Sequence, residues 1–145
     1  MYKAQPPVKT PSVFWELASM LAIHHELYIL AGLIDWQLFE QSFSPSFSHT
    51  NGRPPKPIRL MFGLLMLKYI RIVSDEQIVK QFTENAYYQY FCGMDSFTTS
   101  APCASSELVH FRHRIGEAGA ELILKESIRV NLLLADARRK KEEEE

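Results

Sequence analysis

Apolar residues crowd the middle of this chain and thin toward both ends. From Ile58 to Val73 they leave hardly any polar face: Leu60, Met61, Phe62, Leu64, Leu65, Met66, Leu67, Tyr69, Ile70, Ile72 and Val73. A helix that is apolar all round is a buried one, so this run predicts the central helix of the fold. Its polar exceptions, Arg59, Lys68 and Arg71, are expected to extend their stems toward water. Pro57 suits the first helical position, where its missing amide would have no partner in any case.

The flanking patterns are amphipathic. Ser12 is a candidate cap for a first helix in which Val13, Leu17, Met20, Leu21 and His24 share a face. Leu27 to Ile34 is a second apolar run, broken near Gly32. Asp35 follows as the cap of a helix holding Trp36, Leu38, Phe39 and Phe43, with the serine-rich stretch from Ser42 to Thr50 read as a loop around Pro45. Ser74 and Gln77 form a capping-box pattern that starts a short helix with Ile78, Val79 and Phe82 inward. After a break at Asn85, Tyr87 to Cys92 forms an aromatic helix ending at Gly93. Ser105 or Ser106 then caps a helix in which Leu108, Phe111 and Ile115 occupy one face, and His110, Arg112, His113 and Arg114 the rest. Gly116 interrupts or ends it. A last helix from about Ala118 to Ala135 is expected to bury Leu122, Ile128, Leu132 and Ala135. Nothing reads as a strand. The expected fold is all-α: a compact multi-helix domain with a helix-turn-helix-like arrangement around a buried central helix. Its expected organisation is a disordered lead-in over 1–11, a helical domain over 12–135 and a charged low-complexity tail over 136–145.

Composition and charge refine this picture. With 145 residues, 46% hydrophobic and 23% charged, the chain belongs with globular proteins. The net charge of -1 argues alone against a nucleic-acid partner, but setting aside the four closing glutamates leaves 16 basic residues against 13 acidic. The cations also cluster, in Arg53, Lys56, Arg59, Lys68, Arg71 and Lys80 on the one hand and Arg138-Arg139-Lys140-Lys141 on the other. For a binding surface, distribution outweighs the total. The opening residues lack the apolar core of a signal peptide, and the central run is too short and too charged to span a membrane. The expected location is the cytoplasm.

Candidate chemistry is sparse. Cys92 and Cys103 have neither the number nor the spacing of a zinc site or disulfide framework, and read as buried thiols. His24 and His25 point in different directions on a helix and have no third ligand spaced to join them. The tyrosines at 87, 88 and 90 fit either a base-stacking platform or a core whose hydroxyls reach the surface. No nucleophile-base pair or glycine-rich phosphate loop occurs in a plausible context. Two basic segments remain. The 105–115 helix has the character of one that enters a major groove, with Arg112, His113 and Arg114 toward phosphates or guanine edges, or else of an ordinary amphipathic surface helix. Arg53 and Lys56 sit in the stiff loop Asn51-Gly52-Arg53-Pro54-Pro55-Lys56-Pro57, which fits a minor-groove element or a rigid linker.

Several ordered motifs carry a resemblance: Ile34-Asp35-Trp36; Asn51-Gly52-Arg53-Pro54-Pro55-Lys56-Pro57-Ile58-Arg59-Leu60-Met61; Val73-Ser74-Asp75-Glu76; Tyr88-Gln89-Tyr90-Phe91-Cys92-Gly93; and, after Pro102, Phe111-Arg112-His113-Arg114-Ile115-Gly116. Together they resemble the N-terminal domain of bacterial insertion-sequence transposases of the InsH type, in the IS-five group of the DDE superfamily. The resemblance covers roughly Leu27 to Ile128. It implies a helical domain that helps recognise the terminal inverted repeats of the element on double-stranded DNA. It also implies that a ribonuclease-H-like core follows, with two magnesium ions on an Asp/Asp/Glu triad. Asp136 has no apolar strand around it and is not matched to that triad. The chain is therefore expected to stop short of the active site, to use no cofactor of its own and to show no transposase activity alone. The DNA-binding candidates are Arg53, Lys56, Arg112, His113 and Arg114. The rival expectation is a module without DNA affinity, in which apolar faces of the first and last helices form a homodimer or a heterodimer with full-length transposase and inhibit it.

Overall fold

From Leu60 through Leu67 every residue of the central run is buried. The computed structural model describes residues 16–47 and 56–144, and among them all regular structure is helical. In chain order the helices are α1 (Leu17–Met20), α2 (Glu26–Leu33), α3 (Trp36–Phe47), α4 (Ile58–Arg71), α5 (Asp75–Phe82), α6 (Ala86–Phe91) and α7 (Ser105–Glu144). The fold is all-α, and α4 packs against α3, α5, α6 and α7. Phe62 marks the centre. Its ring lies 4.6 Å from Phe39 and 5.3 Å from Phe43 on α3, and 5.1 Å from Phe111 on α7 in an edge contact. Four rings thus tie three helices together through the contact geometry that aromatic quadrupoles favour.

Local signals set several boundaries. Ser74 Oγ accepts from the Gln77 amide while the Gln77 side chain accepts from the Ser74 amide, a complete capping box that starts α5. Asp35 Oδ1 accepts from the Leu38 amide at the start of α3. Asn85 likewise caps α6 by accepting from the Tyr88 amide. At its far end α4 stops on Ile72, which holds a left-handed φ of 54° while 88% exposed. That conformation is strained for a β-branched residue.

Other expectations need correction. Among the described residues α1 is a single turn, and His25 ends the stretch after it by accepting the Leu27 amide as the cap of α2. The positions given to Ser12 and Val13 lie outside the described residues, as do the 1–11 lead-in and Arg53. The loop expected from Ser42 begins late, because Phe43 packs on the core and holds α3 in helical form past Pro45. Pro57 takes the cap position of α4 instead of its first helical one. Arg59 does not reach for water. Its Nε and Nη2 donate to the Phe91 and Tyr90 carbonyls at 3.2 and 3.3 Å, and its guanidinium lies 4.5 Å from the Trp36 ring centre. It therefore satisfies the carbonyl end of α6, which a short helix cannot do for itself.

Neither Ser105 nor Ser106 caps α7. Glu107 reaches back to accept the Ala104 amide at 2.9 Å, the glutamate half of a capping box. The helix is broken at Gly116, whose φ of 57° and ψ of -154° belong to a region open to glycine alone. Beyond the break the phase differs from the one expected. Ile128 and Leu132 are 52% and 65% exposed and Ala135 is exposed, whereas Glu126 and Val130 are buried and Leu122 is half-buried against the core. The reason is long-range. Glu126 Oε2 accepts from the Asp35 amide at 2.7 Å, and Arg129, bonded to both oxygens of Glu126, donates to the Leu33 carbonyl at 2.7 Å. This junction fixes which face turns inward. Helix also continues to Glu144 through the residues expected as a tail, where alanine, arginine, lysine and glutamate all favour it and Arg139 pairs with Asp136.

Candidate nucleic-acid interface

The candidate surface is the first part of α7, residues 105–115, and its position follows from three buried side chains. Leu108, Phe111 and Ile115 are at most 5% exposed and seat this segment on α4 and α5. Their spacing leaves His110, His113 and Arg114 exposed on the outer side. Arg112 is different. It donates from Nη1 and Nη2 to the two carboxylate oxygens of Asp75 at 2.9 and 3.0 Å, and Lys68 Nζ lies 4.0 Å from the same carboxylate. The Arg112 bonds and the nearby cations, opposed by partial burial, hold the Asp75 carboxyl below its usual range, and the same bonds raise Arg112. Asp75 opens α5, where a negative charge also suits the helix dipole. The pair therefore fastens α7 to α5.

Lys56 is exposed and stands two residues before α4. Its ammonium is close enough to Cys103 to oppose the rise that burial and then Glu107 impose on that thiol, which is pushed up to about 11. Cys92 is driven higher still by complete burial beside Gly63, where an added Cβ would meet its Sγ at 2.8 Å. Both cysteines are free and buried. Of the five sequence candidates, four fall within the described residues: His113 and Arg114 are exposed on 105–115, Arg112 is on the same segment but engaged by Asp75, and Lys56 stands before α4.

The tyrosines do core work. Tyr87 stacks on His25 with ring centres 3.7 Å apart and its hydroxyl accepts the Ala22 amide. Tyr88 is buried and accepts from Arg71 Nε, and Tyr90 stacks on Tyr28 at 4.8 Å. Gln89, absent from the sequence candidates, is wholly buried in α6. It donates to the Phe82 and Thr98 carbonyls at 2.8 and 2.7 Å and accepts from the Thr98 amide at 2.8 Å, fixing the loop that leads toward α7. A lone amide amid aromatic residues was its only sequence signal.

In architecture the tight turn joins α5 to α6, and α6 is mostly interior. The exposed basic segment follows only after the longer stretch 92–104. A groove of about 700 Å³ lies elsewhere, between α2, α4 and the later part of α7, with Ile29, Leu30, Met66, Ile70, Val130 and Leu134 among its walls. Glu26, Glu126, Arg138 and Lys141 line it as well. Among the described residues no group of three or more His, Cys, Asp or Glu side chains is placed to hold a metal ion. None of their helices is long and apolar enough to cross a membrane.

An all-helical domain with a basic helix segment anchored on its surface is the class of structure defined so far. Residues 15–114 match the family described as Transposase domain (DUF772), and the chain belongs to that family. It is also 41% identical over 109 residues to a protein of Rhizobium meliloti described as uncharacterized protein ORF8 in nfe locus. That alignment takes in 75% of this chain and 52% of the relative, so the chain spans about half the length of the curated relative it matches. No solved structure matches.

Proposed function

We propose that this chain is the DNA-binding N-terminal portion of an insertion-sequence transposase of the InsH type, serving recognition of terminal inverted repeats on double-stranded DNA. The observation that carries the reading is the outward display of His110, His113 and Arg114 from a segment whose opposite side is buried. Membership of the transposase domain family supports the same reading. Arg114 and Lys56 contact phosphates, His113 reaches toward base edges, and Arg112 acts chiefly by orienting the segment through Asp75. Arg53, two residues beyond Pro55 from Lys56's own stretch of loop, adds a further cation in this proposal. Strand cleavage and its magnesium ions belong to a core outside the described residues.

The test is a gel-shift series with inverted-repeat DNA at several salt concentrations. Arg114→Ala and Lys56→Ala each weaken binding and make the slope of log K against log salt shallower by about 1. An unchanged slope in the double variant contradicts the assignment. The rival reading, a pairing module that inhibits full-length transposase, is favoured by one observation: apolar residues turned to solvent beyond Gly116.

A further inference from the structure

The second part of α7, residues 117–144, has an uncovered face. At 100° per residue, Leu124, Ile128, Leu132 and Ala135 fall within about 80° of one another. This stripe lies roughly opposite Glu126 and Val130, which face the body. Leu124, Ile128 and Leu132 are 60%, 52% and 65% exposed. Past Val130 no described residue is buried, and Leu134, half-buried, only lines the groove beside α2, so the last stretch of about 21 Å, at 1.5 Å per residue, has little packing of its own. Helices of that length are marginal in water without a packed face.

The charges on the stripe are not evenly placed. Glu117 and Glu121 lie on it before the apolar residues, and Arg139 and Glu142 lie on it after them, with Arg138, Lys140 and Lys141 close by. Glu121 pairs with Lys125 at 3.1 Å and Arg139 with Asp136, but all four side chains are at least half exposed and free to exchange partners. Two such helices side by side in parallel would set Arg139 against Arg139 and Glu121 against Glu121. Turned antiparallel, with Ile128 against Leu132 of the second copy, the same register brings Glu121 opposite Arg139 at both ends.

We propose that residues 117–144 pair antiparallel with those of a second copy of this chain, through Leu124, Ile128, Leu132 and Ala135, with Glu121 and Arg139 setting the direction. The inference rests on the pairing reading above and does not depend on DNA. A single helix pair lies at the low end of interfaces that bury about 1,200 Å², so the dimer is concentration-dependent.

Sedimentation velocity of the full chain, from about 1 to 100 µM, tests it. The wild type shifts from monomer to dimer across this range. Ile128→Lys with Leu132→Lys raises the dimer Kd by about tenfold or more, while circular dichroism shows the fold retained because both positions face solvent. Glu121→Lys and Arg139→Glu each weaken the dimer, and the two combined restore it. A parallel pair would be indifferent to all three. A wild type that stays monomeric overturns the pairing reading itself. A dimer that ignores the lysine pair, or a charge reversal without rescue, leaves pairing standing and overturns this surface.

Discussion

The two parts of α7 are made from similar residues and behave oppositely. Before Gly116 the apolar residues point inward, Leu108 being fully buried, and the polar ones outward. After it, four of the larger apolar residues, Leu124, Ile128, Leu132 and Leu133, are exposed, while a carboxylate, Glu126, is 4% exposed. The family match covers the first part as far as Arg114 and does not extend to the second. The difference teaches that helical periodicity identifies a face without saying what it faces. In 105–115 the face meets α4 and α5. In 117–144 a few polar bonds to Leu33 and Asp35 choose the inward side, and hydrophobicity is left on the other.

The sharpest break of this comparison is expected from the buried side. Leu108→Ala removes a fully enclosed side chain and costs about 2–5 kcal/mol, measured by urea unfolding. Next is the break itself. Gly116→Ala forces a Cβ into a glycine-only conformation and costs about 1–3 kcal/mol, or straightens the helix. Straightening would swing 117–144 off Leu33 and Asp35, which small-angle scattering would detect as an elongated particle. Nearby Gly119 packs so closely on Ile115 that an added Cβ would lie 2.4 Å from its Cβ, so the turn depends on both glycines.

A smaller effect concerns pH. The carboxyls of Asp75 and Glu126 are both held below their ordinary values, chiefly by hydrogen bonds from Arg112 and Arg129. Between the folded and unfolded pKa values the unfolded chain binds more protons, so stability rises with pH there. Their contribution is fully present above about pH 5, and is lost as pH falls through the depressed folded values. Asp75→Asn removes part of that slope, and a double-mutant cycle with Arg112→Ala returns a coupling of about 1 kcal/mol. The smallest effect is expected at Leu132. Its replacement by alanine in the monomer changes stability by less than about 0.5 kcal/mol, although the residue type is that of Leu108.

Much of the first part was legible. The buried centre of α4, the capping box of α5, the Asp35 cap and the inward trio Leu108, Phe111 and Ile115 all rest on local periodicity or on hydrogen bonds spanning three residues. What escaped reading depends on partners far along the chain. Arg59 turns inward because the carbonyls of Tyr90 and Phe91 need donors, and Gln89 is buried because the loop at Thr98 needs both halves of its amide. The pairing of Arg112 with Asp75 was not legible either, since the two stand 37 positions apart. The phase of 117–144 was misjudged for the same reason, since Asp35 and Leu33 stand more than ninety positions from the residues that bind them. The exposed candidates His113, Arg114 and Lys56 were all legible. The influence of Lys56 on Cys103 was not, because the two stand far apart in the sequence.

The most direct test of the DNA-facing assignment is amide chemical-shift mapping by NMR on the full chain, titrated with inverted-repeat duplex at low salt. Perturbations are expected to concentrate at His110, His113, Arg114 and Lys56, with Leu124, Ile128 and Leu132 unmoved. Perturbations confined to 117–144, or none at all, would contradict that assignment.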